Sequence, residues 1–140
     1  MPEEAPGRYE ASSTNVVAIA GLNASLKGLD IDKHRETVRE LTEYLLNALS
    51  NVPSVNLMGA FDTDKTLGII SFVVEGYQSD EVGTILDDEY DIAVRTGYHC
   101  APYIHDYLGD KPYHGTIRIG IGQFNTKEDI DALIKALESL

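Results

Sequence analysis

The chain has 140 residues, an apolar fraction of 43% and a formal net charge of −12. This length predicts one domain with a substantial core. The charge argues against nucleic-acid binding, which needs clustered Lys and Arg. A single cysteine excludes an internal disulfide. No run approaches the ~18 apolar residues of a membrane span, and the first seven residues lack the features of a signal peptide, so we expect a cytoplasmic protein.

The first half of the chain predicts two helices and two strands. Helix-capping residue types precede an apolar stretch, which predicts a helix over residues 15–27, and residues 33–50 carry apolar side chains at helical spacing. A short strand is expected at 55–58. Residues 67–74 are apolar at most positions, which is typical of a central strand buried on both faces.

The second half continues with alternating helices and strands. We expect a helix from Ser79, a strand over 91–95, a loop with one helical turn over 101–114, and a strand over 116–121. Thr126 and Asp129 have capping-box spacing and open a last helix. Two strand pairs have connections too short to need a crossover helix. The pattern predicts an α+β fold, in which a mostly antiparallel sheet of about four strands carries helices on one face.

Cys100 is the first candidate for chemistry. It follows the predicted strand that ends near Gly97, it adjoins His99, and Arg95 lies five positions before it. A thiolate is the reactive form of cysteine, and nearby positive charge favours it. A small buried side chain is the alternative for a lone cysteine.

Arg118 is the second candidate. It lies in the predicted fourth strand, on the face opposite the isoleucines, with Gly120 and Gly122 nearby. An arginine there is suited to binding a carboxylate through two hydrogen bonds, while an ordinary exposed arginine is the alternative. A metal site built from His99, Cys100, His105 and His114 fits poorly with the usual ligand spacing. We therefore predict no metal.

Three segments together resemble the cysteine desulfurases, within the class V group of pyridoxal-phosphate (PLP) aminotransferases. They are residues 92–101, 115–119 and 124–130, in that order. Near the start, residues 8–15 resemble the family segment R-[FY]-E-A-G-T-P-N. The resemblance implies the C-terminal small domain of a fold-type I PLP enzyme, with residues 1–14 as a lead-in segment and 15–140 as the domain.

The resemblance also implies roles for individual residues. Cys100 matches the family's nucleophile, which becomes a persulfide, and His99 adjoins it as an orienting or protonating group. Arg118 matches the arginine that holds the substrate carboxylate, and Arg95 matches a structural or pocket-lining residue of the family's motif. Ser13 falls where the family has a threonine that contacts the cofactor phosphate.

The cofactor implied by the resemblance is PLP, although no lysine here follows a histidine as the family's Schiff-base lysine does. The isolated chain is therefore expected to be inactive alone. Implied partners are an N-terminal PLP-binding domain, L-cysteine, a second copy in a homodimer and a sulfur-acceptor protein. A non-catalytic interaction module, a thiol sulfur carrier, and selenocysteine lyase or another class V activity remain open as alternatives. We also expect Cys100 to be accessible, and the helix at 15–27 to expose apolar side chains.

Overall fold

The structure is a computed structural model, and it describes residues 3–10, 13–59, 62–63 and 65–140. The chain divides into two compact units, Met1–Asp32 and Lys33–Leu140. The predicted boundary between residues 14 and 15 stays a prediction. Residues 1, 2, 11 and 12 of the predicted lead-in lie outside the described residues.

Helix α1 (Val16–Lys27) is the main element of the first unit. Asn15 caps it, because the Asn15 side-chain oxygen accepts a hydrogen bond from the Ala18 amide at 3.0 Å. The helix is apolar around much of its circumference, and none of its residues is buried. The expected exposure of its apolar side chains is confirmed, since Val17 is 82% exposed and Leu22 is 60% exposed.

A four-stranded sheet organises the second unit. Its strands are β1 (Val55–Leu57), β2 (Ile69–Val74), β3 (Arg95–Gly97) and β4 (Thr116–Gly120). They lie in the order β1-β2-β4-β3, and each pairs with its neighbour in antiparallel fashion. The helices that accompany them are α2 (Ile31–Leu49), α3 (Ser79–Tyr90), α4 (His105–Leu108) and α5 (Lys127–Glu138). The predicted α+β fold with a small antiparallel sheet is confirmed.

The core lies on one face of this sheet. Phe72 and Ile70 of β2 and Ile117 of β4 are fully buried there. They join apolar residues of three helices in one cluster, which includes Leu41, Leu45 and Leu49 of α2, Val82 and Leu86 of α3, and Ile130, Leu133, Ala136 and Leu137 of α5. The helix spacing of these residues explains why α2, α3 and α5 pack on this face.

Strand β3 is displaced from its predicted position. We expected a strand over 91–95, but the observed strand is Arg95–Gly97. Asp91 is in the left-handed conformation, with φ of 54°, and ends α3. Ile92 to Val94 line a cavity of about 120 Å³ together with Ile119 to Ile121. The pairing of β3 with β4 covers Arg95 to Gly97 and does not extend to these cavity-lining residues.

The capping box predicted for the last helix is confirmed. The Thr126 hydroxyl accepts a hydrogen bond from the Asp129 amide, and the Asp129 carboxylate accepts one from the Thr126 amide. These two bonds satisfy amides that would otherwise lack a partner at the helix start. No helix in the described part of the chain is long and apolar enough to cross a membrane.

Candidate active site

Cys100 lies in a tight turn directly after β3. The Ala101 amide donates a hydrogen bond to the Tyr98 carbonyl at 2.8 Å, which closes a four-residue turn. The two central residues, His99 and Cys100, have φ of 51° and 62°. Positive φ at both central positions is the feature of a type I′ turn, which normally contains Asn or Gly. The turn therefore presents an exposed thiol, as expected, on a strained backbone.

Two arginines lie side by side next to this turn. Arg95 of β3 and Arg118 of β4 are direct cross-strand partners on the sheet face opposite the core. An Arg95 Nη atom lies 3.4 Å from the Cys100 Sγ and donates a weak hydrogen bond to it. Within the described residues, neither guanidinium forms an ion pair with a carboxylate. Like charges directly opposite each other on a sheet are unfavourable without an anion between or above them.

His99 lies against the start of β4. Its Nε2 atom is 2.9 Å from the Thr116 hydroxyl and 3.1 Å from the Thr116 carbonyl oxygen. Burial lowers the pKa of His99, and the positive charges of Arg118 and Arg95 lower it further, against the opposing effect of the Thr116 carbonyl. A neutral imidazole that donates from Nε2 keeps a lone pair on Nδ1. That Nδ1 atom is buried and has no hydrogen-bond partner in the described protein.

His105, which the sequence left without a role, is buried beneath the turn. Its Nδ1 lies 2.6 Å from the Asp110 carboxylate, and its Nε2 lies 3.0 Å from the Tyr98 carbonyl oxygen. The side chains of His105 and Asp110 are 3% and 0% exposed. His114, in contrast, is exposed, and its ring lies 3.6 Å from Asp80. The two histidines therefore have different environments, and they do not converge on one point.

The structure brings four of the predicted site residues together: Cys100, His99, Arg95 and Arg118. Ser13 is exposed and belongs to the first unit, so its predicted phosphate contact stays a prediction. In the described part of the chain, no cluster of three or more His, Cys, Asp or Glu side chains has the geometry for a metal ion.

The residues around Cys100 fit an anionic substrate better than they fit PLP. The set contains a thiol, an imidazole and two guanidinium groups, and none of these forms an imine with an aldehyde. Lys111 is the only lysine between residues 95 and 118, and it is paired with Asp106 at the surface. Among the described residues around Cys100, the side chains therefore suit an anion and thiol chemistry, and none could hold the cofactor through an imine.

Sequence reasoning missed three residues of this site: Thr116, His105 and Asp110. Asp110 carried no signal, because it looks like one of many loop carboxylates in an acidic chain. A signal existed for His105. It stands five positions after Cys100, and each of its two ring nitrogens can form a hydrogen bond that fixes a neighbouring group.

The family model "Aminotransferase class-V" matches residues 2–133 of this chain. A cysteine desulfurase from Wigglesworthia glossinidia brevipalpis is 33% identical over 137 residues, which is 96% of this chain and 32% of that protein. The chain thus spans about a third of the length of this relative.

Solved structures of cysteine desulfurases are also similar to this chain. The apo structure of a cysteine desulfurase from Thermococcus onnurineus NA1 superimposes with a TM-score of 0.86 and 27% identity, covering 99% of this chain and 34% of that one. The cysteine desulfurase CsdA from Escherichia coli gives a TM-score of 0.78 and 30% identity, with coverage of 99% and 34%.

Proposed function

Because the chain belongs to the class V aminotransferase family, we propose that it supplies the substrate-facing part of a PLP-dependent cysteine desulfurase. In this proposal Cys100 accepts the sulfur atom, and Arg118 binds the carboxylate of L-cysteine. The whole enzyme would also include a PLP-binding domain, as the longer relatives suggest. Homodimer formation and transfer of sulfur to an acceptor protein belong to the same proposal.

The observation that carries this proposal is the arginine pair beside the thiol. Arg95 and Arg118 are cross-strand neighbours without a carboxylate partner in the described residues, although the chain carries 23 Asp and Glu against 11 Lys and Arg. A structural role for these arginines would be served by any of the many acidic side chains. Their isolation supports a site for an external anion, and a guanidinium suits a carboxylate through two parallel hydrogen bonds.

The proposed reaction joins the Cys100 thiol to the sulfur of L-cysteine. A sulfur–sulfur bond forms at Cys100, the carbon–sulfur bond of the substrate breaks, and alanine leaves. L-cysteine and one thiol thereby give alanine and one persulfide, so no external oxidant is needed. PLP, held by the whole enzyme, would supply the electron sink that weakens the carbon–sulfur bond.

The other residues support this reaction. Arg95 donates a hydrogen bond to the Cys100 Sγ at 3.4 Å, and this contact places a guanidinium beside the proposed sulfur acceptor. His99 is held by Thr116, and burial lowers its pKa and so favours the neutral ring, whose buried Nδ1 has a lone pair that can accept a proton. Ser13 remains the proposed contact to the cofactor phosphate, and its exposure is compatible with that role.

The test is to express the complete reading frame that contains this chain and to measure alanine release from L-cysteine with added PLP. We expect the mass of the Cys100 peptide to increase by one sulfur atom. Cys100→Ser should abolish alanine release. Arg118→Lys should raise the KM for L-cysteine, because a point charge replaces a planar group with two donors.

Arg39→Lys is the matched control, because Arg39 pairs with Glu36 on α2, away from the Cys100 turn. Its KM should equal that of the wild type. If Cys100 gains sulfur from a persulfide donor but no alanine forms, the thiol sulfur carrier is the correct alternative. If neither occurs, the interaction module is favoured. Comparing the rate of alanine release from L-selenocysteine with the rate from L-cysteine distinguishes a selenocysteine lyase from a cysteine desulfurase.

A further inference from the structure

The buried pair of His105 and Asp110 has no part in the proposed reaction, yet burying ionisable groups is costly. Both side chains are almost fully buried. His105 contacts the turn that carries Cys100 through the hydrogen bond between its Nε2 atom and the Tyr98 carbonyl, and through edge-to-face packing of its ring on the Tyr98 ring, with centroids 5.0 Å apart. A buried histidine and carboxylate in this position need an explanation beyond packing, because an apolar pair of similar size would fill the same space at lower cost.

The direction of each hydrogen bond follows from its partners. A carbonyl oxygen accepts but cannot donate, so the His105 Nε2 must carry a proton to bond the Tyr98 carbonyl at 3.0 Å. The Asp110 carboxylate faces the opposite nitrogen, Nδ1, at 2.6 Å. A carboxylate on one ring nitrogen fixes the orientation of the ring and hence the bond made by the other.

Asp110 is in turn fixed by the backbone. Its carbonyl oxygen accepts hydrogen bonds from the Tyr113 amide at 3.0 Å and from the Gly115 amide at 3.2 Å. Gly115 directly precedes β4. A chain of contacts therefore runs from the start of β4 through Asp110 and His105 to the Tyr98 carbonyl.

That carbonyl is the closing point of the strained turn. It accepts from the Ala101 amide at 2.8 Å and from the His105 ring at 3.0 Å, so both of its lone pairs are used. Between Tyr98 and Ala101 lie His99 and Cys100, both with positive φ. Non-glycine residues persist in this conformation only where the surroundings hold them.

We propose that His105 and Asp110 are positioning residues that hold the Tyr98–Ala101 turn and so keep the Cys100 thiol beside Arg95. This inference rests on the proposed role of Cys100 as the sulfur acceptor. Without the His105 bond, the turn relaxes toward negative φ, and the thiol moves away from the guanidinium groups.

The experiment measures how strongly the positive charge of the arginines attracts an anionic reagent to the Cys100 thiol. Cys100 is the only cysteine, so its alkylation rates by iodoacetate and by iodoacetamide can be compared directly. The ratio of the two rates cancels the thiolate fraction and most of the effect of access, and it rises when positive charge lies beside the thiol. We expect a ratio about fivefold higher in the folded chain than in the urea-unfolded chain, as one guanidinium about 4 Å away gives in water.

His105→Phe keeps an aromatic ring but removes both hydrogen bonds. We expect it to lower the ratio about fivefold, to the value of Arg95→Gln. His105→Gln retains an N–H donor toward the Tyr98 carbonyl and should restore most of the wild-type ratio. If His105 acted only by packing, His105→Phe would keep a higher rate ratio than His105→Gln. A folded His105→Phe chain with the wild-type ratio would overturn the inference.

The two proposals fail differently. If Arg95→Gln and Arg118→Gln both leave the wild-type ratio unchanged, the anion-binding role in the proposed function is wrong. If they lower it and His105→Phe does not, only the positioning role is wrong. Should His105→Phe not fold, nitrogen NMR of the wild-type His105 ring decides the matter: a bound proton on Nε2 is expected, and its absence would overturn the inference.

Discussion

The two faces of the sheet differ in composition and in how they are stabilised. On the core face, Phe72, Ile70 and Ile117 are buried among the helices. On the other face, Ser71, Arg118 and Arg95 form a row across β2, β4 and β3. Adjacent residues of the same strands thus have different roles. The core-facing residues stabilise the fold, whereas the other face carries two arginines that have no carboxylate partner among the described residues. The comparison indicates that stability and the proposed chemistry can be altered separately.

The largest effect is expected from the core face. Phe72→Ala should lower the free energy of unfolding by about 3–5 kcal/mol, because it removes a fully buried ring and leaves a cavity. Ser71→Ala, at the neighbouring position on the other face, should change it by less than about 0.5 kcal/mol. Urea unfolding followed by circular dichroism measures both. Equal losses would contradict the division between the faces.

Gly115 directly precedes β4, and we expect its substitution to cause the next largest loss of stability. It has φ of +93°, and a Cβ atom at this position would clash with the backbone carbonyl of Gly97 on β3. Gly115→Ala should therefore cost more than the about 1–3 kcal/mol of backbone strain alone. Gly76→Ala is the matched control, because Gly76 has φ of +89° and nothing within 4 Å of the added carbon. The two variants should differ in urea midpoint; equal midpoints would show that β3 shifts freely.

For the arginines of the other face, we expect a substitution to raise the free energy of unfolding and not to lower it. Arg118→Gln should raise the free energy of unfolding by about 0.2–1 kcal/mol, because it removes a like-charge pair with Arg95. Adding a carboxylate such as alanine should stabilise the wild type more than this variant. A clear loss of stability in Arg118→Gln would mean that the arginine supports the fold.

His99 should give a small pH-dependent effect. Burial lowers its pKa in the folded chain, so the unfolded chain binds the proton first as the pH falls below about 6.5. Stability from this residue is complete above that pH and is lost toward the lower folded pKa. Between about pH 7.5 and about pH 5.5, His99→Gln should therefore lose less stability than the wild type. Parallel curves for the two proteins would exclude this contribution.

The smallest effect on stability is expected at α1. Leu22→Ser should leave the urea midpoint unchanged, since Leu22 is 60% exposed. It should still weaken self-association in sedimentation velocity, because exposed apolar side chains favour contacts between copies. Phe124→Ser, which changes an 88% exposed ring outside α1, is the control. Equal weakening by both would show that association is not specific to α1.

Much of the fold followed from local patterns in the sequence. The capping box at Thr126 and the helical spacing in α2 predict these helices because both signals act over a few residues. Strand β3 was misplaced because its bounds depend on which residues pair with β4, and no local pattern contains that register. In the site, the segment 92–101 predicted the thiol and Arg95, and the segment 115–119 predicted Arg118. The hydrogen bonds from His105 to Asp110 and to the Tyr98 carbonyl could not be predicted in this way. They depend on the direction of the side chains, which the spacing of residues in the sequence does not determine.

The outermost strands, β1 and β3, are only three residues long. Short edge strands offer few unpaired backbone groups to another chain, and they are one way in which proteins prevent edge-to-edge pairing. Copies of this chain should therefore not assemble into continuous intermolecular sheets. Any aggregates should keep native helix content and lack the thioflavin fluorescence of amyloid.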